Sequence, residues 1–176
     1  MVCGHMRAIG RLMDAFWVTE ILSYVIAKLQ IVVVGDGVYR QRVLDYFRQT
    51  SRITSNVHFL GDRPDATELL PFADVVIVPH RQLGGTFATL EAMAAGKPVV
   101  AARLPHLQAI IRDGETGMLA TPADQPALAR ACLRLFENEN QRKAIAAAAR
   151  DAVANAFSLD TMIANFATLY DEVVRP

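Results

Sequence analysis

Short apolar blocks separated by polar, glycine-bearing breaks run the length of the chain, and their period alternates between that of a strand and that of a helix. Ile31–Val34 and the run from Val75 to Val78 are continuous β-branched stretches, the pattern of strands buried on both faces of a parallel sheet. Between them, Val43, Leu44 and Phe47 mark the apolar stripe of a helix over residues 39–50. Residues 57–60 then form a strand closed by Gly61. Upstream, residues 7–12 read as a first strand. Residues 14–28 read as a helix whose apolar positions are Trp17, Ile21, Tyr24, Val25 and Leu29. Downstream, a short helix over residues 64–72 precedes a strand over 74–79. A glycine loop, a helix and a strand over 99–101 follow, then a helix over 107–112 and the strand Met118–Ala120. Three helices close the chain: Gln125–Glu137, residues 140–156, and Leu159–Val174 with Ser158 as its N-cap. This order predicts an α/β protein with a Rossmann-like, doubly wound parallel sheet flanked by helices. No repeat or linker interrupts it, so residues 1–176 read as a single domain.

The break between the strand over 74–79 and the strand over 99–101 carries the chemistry. Gly84-Gly85 follows the carboxyl end of one strand and opens a helix containing a single acid, Glu91, before Gly96-Lys97-Pro98 leads into the next strand. Glycine lets the backbone approach a ligand closely, and the first N–H groups of the helix have no partner within it. Such a loop is where α/β proteins hold anions, so the pattern points to a phosphate-bearing ligand.

Composition narrows the classes. A chain that is 52% apolar and 20% charged is globular rather than disordered. Its formal net charge of zero argues against nucleic acid as a partner. Cys3 and Cys132 lie far apart with no C-x-x-C, which indicates neither a zinc site nor a disulfide framework, and both read as idle or buried thiols. The amino terminus lacks the apolar core of a signal peptide. The apolar stretch over residues 16–34 is interrupted by Glu20, Lys28 and Gln30, and reads as helix then strand rather than a membrane span.

Taken in order, Gly10-Arg11-Leu12, IVVVGDG, VHFLGDRPDATELLPFADVVIVP, the glycine loop with LEAMAAGKPVVA, and IIRDGETGMLATPAD resemble the carboxyl-terminal half of the GT-B glycosyltransferases of group 1 (family 4, retaining). The resemblance runs from about Arg7 to the last helix, and its most specific part is LEAMAAGKPVVA followed by DGETG. It implies a domain that binds a nucleotide-diphosphate sugar, working with a separate acceptor-binding amino-terminal domain that is absent here. The implied reaction transfers a sugar with retention of configuration and without a metal or other cofactor. By the same resemblance, Glu91 would accept hydrogen bonds from the donor ribose. Gly84, Gly85 and the backbone of Thr86, Phe87 and Ala88 would hold the diphosphate, with Arg11 neutralising its charge. Leu60, Gly61 and Arg63 would border the base. The implied location is cytoplasmic, with peripheral membrane contact allowed through the absent domain.

Departures from the family pattern keep a second reading open. The family places two glutamates with seven residues between them, the first touching the sugar, and that position is Leu83. Phe16 and Trp17 stand where the family has Lys-Gly, and Leu104-Pro105 and Ala109 replace a glycine pair and a glutamate. A non-catalytic nucleotide-sugar-binding or interaction domain derived from such an enzyme is therefore the alternative. A different nucleotide-binding α/β enzyme is a third, disfavoured because GDGVYR rather than G-x-G-x-x-G follows Ile31–Val34. Glu91 also has a reading as a solvated helix residue, although its place in LEAMAAG favours the ribose role, and Arg11 reads equally as a solvated strand end. His80 reads as structural, His106 as a surface loop residue and Lys97 as a solvated turn. The alanine-rich run over 144–149 reads as helix-forming sequence without chemistry.

Overall fold

The computed structural model describes residues 2–3, 9–50, 54–79 and 84–174. Its strands are β1 (Val2–Cys3), β2 (Ile31–Val34), β3 (Val57–Gly61), β4 (Val76–Val78), β5 (Val99–Ala102) and β6 (Met118–Ala120). They form one parallel sheet in the order β3-β2-β1-β4-β5-β6. The helices are α1 (Ile9–Ser23), α2 (Arg40–Thr50), α3 (Ala66–Leu69), α4 (Thr86–Ala94), α5 (Pro105–Gln108), α6 (Gln125–Glu137), α7 (Glu139–Ala156) and α8 (Leu159–Val174). The expected Rossmann-like α/β class is what forms.

Alternation along the strands assigns each residue to one of two cores, because successive strand side chains point to opposite faces. On one face Ile31, Val33, Val57, Ile77, Val100 and Met118 pack against α1, α2 and α6 through Phe16, Val18, Phe47 and Leu135. Phe16, Phe47 and Phe59 cluster there with ring centroids 4.9–6.0 Å apart. On the other face Val76, Val78, Val99, Ala101 and Leu119 pack against Met93, Leu107, Ala149 and Val153 of α4, α5 and α7. Helices on both faces are what make the strands continuously apolar.

The first thirty residues differ from expectation. Residues 9–12, expected within a strand over 7–12, are helix, residues 7 and 8 lie outside the described residues, and the central strand is Val2–Cys3. The buried stripe of α1 is Ala15, Phe16, Val18, Thr19 and Leu22, whereas Trp17 (51% exposed), Ile21, Tyr24 (74%) and Val25 face outwards. Both stripes are apolar at helical spacing, so periodicity alone did not choose between them. Small residues at 15, 18 and 19 let this face approach the sheet, which the bulky Trp17–Tyr24 face would hold off. The helix ends at Ser23, whose Oγ donates to Glu20 O, and the chain turns before β2. The apolar stretch over 16–34 is thus helix and strand, and no helix among the described residues is long and apolar enough to cross a membrane.

Further along, the helix expected over 107–112 is α5 instead, started earlier by Pro105, whose fixed φ and missing N–H suit a first helical position. The helix expected over 64–72 splits into α3 and a 3₁₀ turn, Leu70–Phe72, with Pro71 in it. The turn Asp113–Gly117 is a structural device. Thr116, fully buried, accepts from Arg112 N at 2.9 Å, and Asp113 Oδ1 accepts from Leu119 N of β6 at 2.8 Å. A Cβ on Gly117 would meet Ile111 Cγ2 at 2.9 Å and Val99 O at 3.1 Å, so only glycine fits beneath the sheet there. Ser158 caps α8 as expected, accepting from Thr161 N at 3.1 Å. No residue of α8 is buried, and Met162, Ile163, Phe166, Leu169, Tyr170 and Val173 lie exposed at helical spacing.

Candidate functional site

The order of the sheet locates the site before any side chain is considered. From β1 the chain winds outwards to β2 and β3, and from β4 outwards to β5 and β6, so winding reverses between β1 and β4. Ligands of open α/β sheets bind outside the carboxyl ends of the strands at such a switch point. Two helices begin on that edge beside it, α1 after β1 and α4 after β4. Their amino-terminal ends carry unpartnered N–H groups and the positive end of the helix dipole.

Gly84 and Gly85 shape the second of these ends. Their φ angles are 135° and 80°, values that side-chain-bearing residues rarely adopt. Gly85 is the N-cap of α4 and offers no side-chain cap; the helix closes with Thr89 N donating to Gly85 O at 2.9 Å. The amides of Thr86, Phe87 and Ala88 therefore have no intrahelical acceptor, as a phosphate site requires. Phe87 is 80% exposed. Glu91 lies four residues on, hence on the same face of α4 and about 6 Å further along its axis. Its side chain is exposed and has no ion pair or hydrogen bond among the described residues. The structure thus brings Gly84, Gly85, Thr86, Phe87, Ala88 and Glu91 to one helix end. Leu83 and His80 lie outside the described residues.

The base-side residues sit at the carboxyl end of β3, three strands from β4, a span of about 14 Å at ordinary strand spacing. Gly35 N donates to Gly61 O at 2.7 Å, tying the ends of β2 and β3 together. Leu60 is partly exposed, but Arg63 is already engaged. Its Nε and Nη2 donate to the two carboxylate oxygens of Asp65 at 2.7 and 2.5 Å. That pairing raises the Arg63 pKa and holds the Asp65 carboxyl below its ordinary range. Arg11 falls in the first turn of α1, at the switch-point edge, rather than at a strand end; its side chain lies outside the described residues.

Four further side chains are engaged in ways the sequence did not indicate. Asp36 accepts from Gly37 N at 2.7 Å in the turn after β2, and Arg40 Nε lies 3.8 Å from Asp36 Oδ2, buried and without a hydrogen bond among the described residues. The pattern GDG hinted at Asp36; nothing hinted at Arg40. His106, expected on a surface loop, is half-buried on α5 with Nε2 2.9 Å from Gly84 O. Lys97, expected as a solvated turn, donates from Nζ to Pro71 O at 2.6 Å. Cys132 is fully buried and its thiol is pushed up to about 12 by that burial, so it takes no part in chemistry. An apolar cavity of about 490 Å³ opens at the opposite edge, where Leu29, Ile31 and Val75 begin their strands. It lies away from the switch-point edge and is not the candidate site.

Comparison with known proteins assigns the chain to a family. The profile of the family described as glycosyl transferases, group 1, matches residues 3–138. The chain is 27% identical over 173 residues to the N-acetyl-alpha-D-glucosaminyl L-malate synthase of Bacillus anthracis, covering 98% of this chain and 45% of that protein. It is 35% identical over 130 residues to the phosphatidyl-myo-inositol mannosyltransferase of Mycobacterium leprae, covering 71% and 33%. The chain thus spans less than half the length of these relatives. Among solved structures it superposes on the C-terminal domain of a group 1 glycosyl transferase (LpcC) from Francisella tularensis with a TM-score of 0.79 at 20% identity, covering 90% of this chain and 86% of that one. It superposes on Anabaena Alr3699/HepE, solved in complex with UDP, with a TM-score of 0.84 at 24% identity, covering 97% and 48%. These neighbours carry the GT-B fold.

Proposed function

We propose, from the premise that this chain belongs to the group 1 glycosyltransferases, that it is the donor-binding half of a retaining enzyme that moves a sugar from a nucleotide-diphosphate sugar to an acceptor. The observation that carries the reading is the uncapped amino terminus of α4 behind Gly84-Gly85, at the switch point of the sheet, with Glu91 one turn further along. In this reading the amides of Thr86, Phe87 and Ala88 hold the diphosphate and Glu91 accepts from the ribose hydroxyls. Leu60, Gly61 and Arg63 border the base. Arg11, carried by the first turn of α1, is assigned in this reading to offset the charge that grows on the diphosphate as it leaves. Backbone amides, two helix dipoles and an arginine supply the positive field, so the reading needs no metal ion. Because the Anabaena neighbour is a complex with UDP, a uridine nucleotide is the first donor to test.

A separate acceptor-binding domain belongs to the same reading, together with a cytoplasmic location and peripheral membrane contact through that domain. Two observations support the separate domain: the relatives are more than twice as long, and the apolar face of α8 is left uncovered among the described residues. An exposed stripe from Met162 to Val173 is the signature of a surface made to be buried. Leu83 favours a second reading, in which the domain binds a nucleotide or nucleotide sugar without catalysis, because leucine cannot accept a hydrogen bond from a sugar hydroxyl.

Calorimetric titration with UDP, GDP and ADP, followed by a transfer assay with UDP-sugars and the chain alone, tests the proposal. We expect weak, phosphate-dependent binding of one nucleotide and no transfer, since transfer needs both reactants held in near-attack geometry, a contribution of about 7–11 kcal/mol. Robust transfer by the chain alone would sink the two-domain reading, and no nucleotide binding would sink the donor-site reading.

A further inference from the structure

We infer that His106 is a positioning residue for the phosphate loop: it anchors the Gly84 carbonyl and so sets the direction of the peptide that opens the anion site. This rests on the donor-site reading and adds to it a residue outside the glycine loop and outside α4. The contact is His106 Nε2 to Gly84 O at 2.9 Å, across 22 positions of sequence. Because a carbonyl can only accept, the imidazole must donate from Nε2.

The geometry gives this single bond leverage. A peptide unit is planar and trans, so its C=O and N–H point in opposite directions. Holding the Gly84 oxygen towards α5 therefore points the Gly85 N–H away from it. Both residues flanking this peptide are glycines with positive φ, and glycine visits either sign of φ readily. Without an anchor the peptide is free to flip, and a flip carries the carbonyl oxygen to the side where the N–H had been. At the mouth of an anion site that exchange replaces a donor with a repelling dipole.

The support behind the histidine is rigid. Leu107, the next residue, is fully buried in the second core, and Leu107 N and Gln108 N both donate to Leu104 O at 2.9 Å. Leu104 N in turn donates to Ala102 O at 2.9 Å, which fastens α5 to the carboxyl end of β5, the neighbour of β4. The glycine loop is thus tethered to the sheet on the far side of its own strand.

Three proteins test the inference: the unaltered chain, His106→Phe, which keeps a ring without the donor, and His106→Gln, which keeps an amide donor. Two measurements are made on each. Hydrogen exchange at the amide of Thr89, which donates to Gly85 O, is followed without nucleotide, and the affinities for UDP and for uridine are measured by calorimetry and competition. Loss of one neutral hydrogen bond predicts exchange faster by about three- to tenfold in His106→Phe, and a UDP-to-uridine affinity ratio lower by the same factor. His106→Gln recovers most of both. A histidine that only supports the fold would lower both affinities together and leave their ratio unchanged, and that result overturns the inference. Exchange and ratio unaltered in His106→Phe overturn it as well, while leaving the donor site standing. Failure of the unaltered chain to bind UDP and uridine overturns the donor-site reading, and the phosphate role of His106 with it.

Discussion

Replacing Glu91 by glutamine tests how α4 divides its work between phosphate and ribose. Glu91 is exposed, makes no ion pair among the described residues and sits on the Phe87 face of the helix, so the change removes charge without removing a packing contact. Fold stability should stay within about 0.5 kcal/mol of the unaltered chain. For binding, the carboxylate lies about 6 Å along the helix axis from the amides that would hold the diphosphate, the separation of one helical turn. A hydrogen bond to a charged group contributes about 1.5–3 kcal/mol, and solvent exposure places this one at the low end. A loss of about 1.5 kcal/mol is roughly tenfold in Kd. Calorimetry with UDP measures it, and the same titration with 2′,3′-dideoxy-UDP supplies the control. If Glu91 reads the ribose, the substitution and the missing hydroxyls should not add, because each removes the same interaction. Equal affinity of mutant and parent for UDP, or full additivity with the deoxy analogue, would return Glu91 to a solvated helix face.

Other outcomes follow from the same geometry. Leu83→Glu should raise the ratio of UDP-sugar to UDP affinity by roughly fivefold to thirtyfold, the yield of a hydrogen bond contributing about 1–2 kcal/mol; an unchanged ratio would favour the non-catalytic reading. Gly117→Ala should lower stability by about 1–3 kcal/mol in a urea titration, because its Cβ would meet Ile111 Cγ2 at 2.9 Å and Val99 O at 3.1 Å; an unchanged midpoint would mean that the turn yields freely. In a Cys3→Ser background, Cys132 should react with a thiol reagent no faster than the chain unfolds, since it is fully buried and its pKa is pushed up to about 12; prompt labelling of the native protein would contradict its place in the core.

What could be read without coordinates depended on how many independent signals met at each element. β2, β6, α6 and α8 agree with their expected limits because an apolar run and a turn or cap residue mark both ends, as Asp124 does for α6 and Ser158 for α8. α1 had no such agreement. Its two faces are both apolar, no polar stripe opposes either, and the face with the larger side chains is the one left outside. β1 escaped notice because two residues flanked by both neighbouring strands need no periodic pattern of their own. At the site, the glycine loop and Glu91 were legible because their chemistry is local to α4. The engagement of Arg63 by Asp65 and of Gly84 by His106 depends on side-chain direction and on contacts across the fold, neither of which spacing encodes.

The central claim is that the amino-terminal end of α4 is where this chain holds a nucleoside diphosphate, and amide-resolved NMR during a UDP titration tests it most directly. The account predicts that the amides of Gly85, Thr86, Phe87 and Ala88 shift furthest as UDP is added and move little with uridine, since an amide responds most when it gains a charged acceptor. Largest shifts around Leu29, Ile31 and Val75, at the apolar cavity on the opposite edge, or equal responses to UDP and uridine at α4, would contradict it.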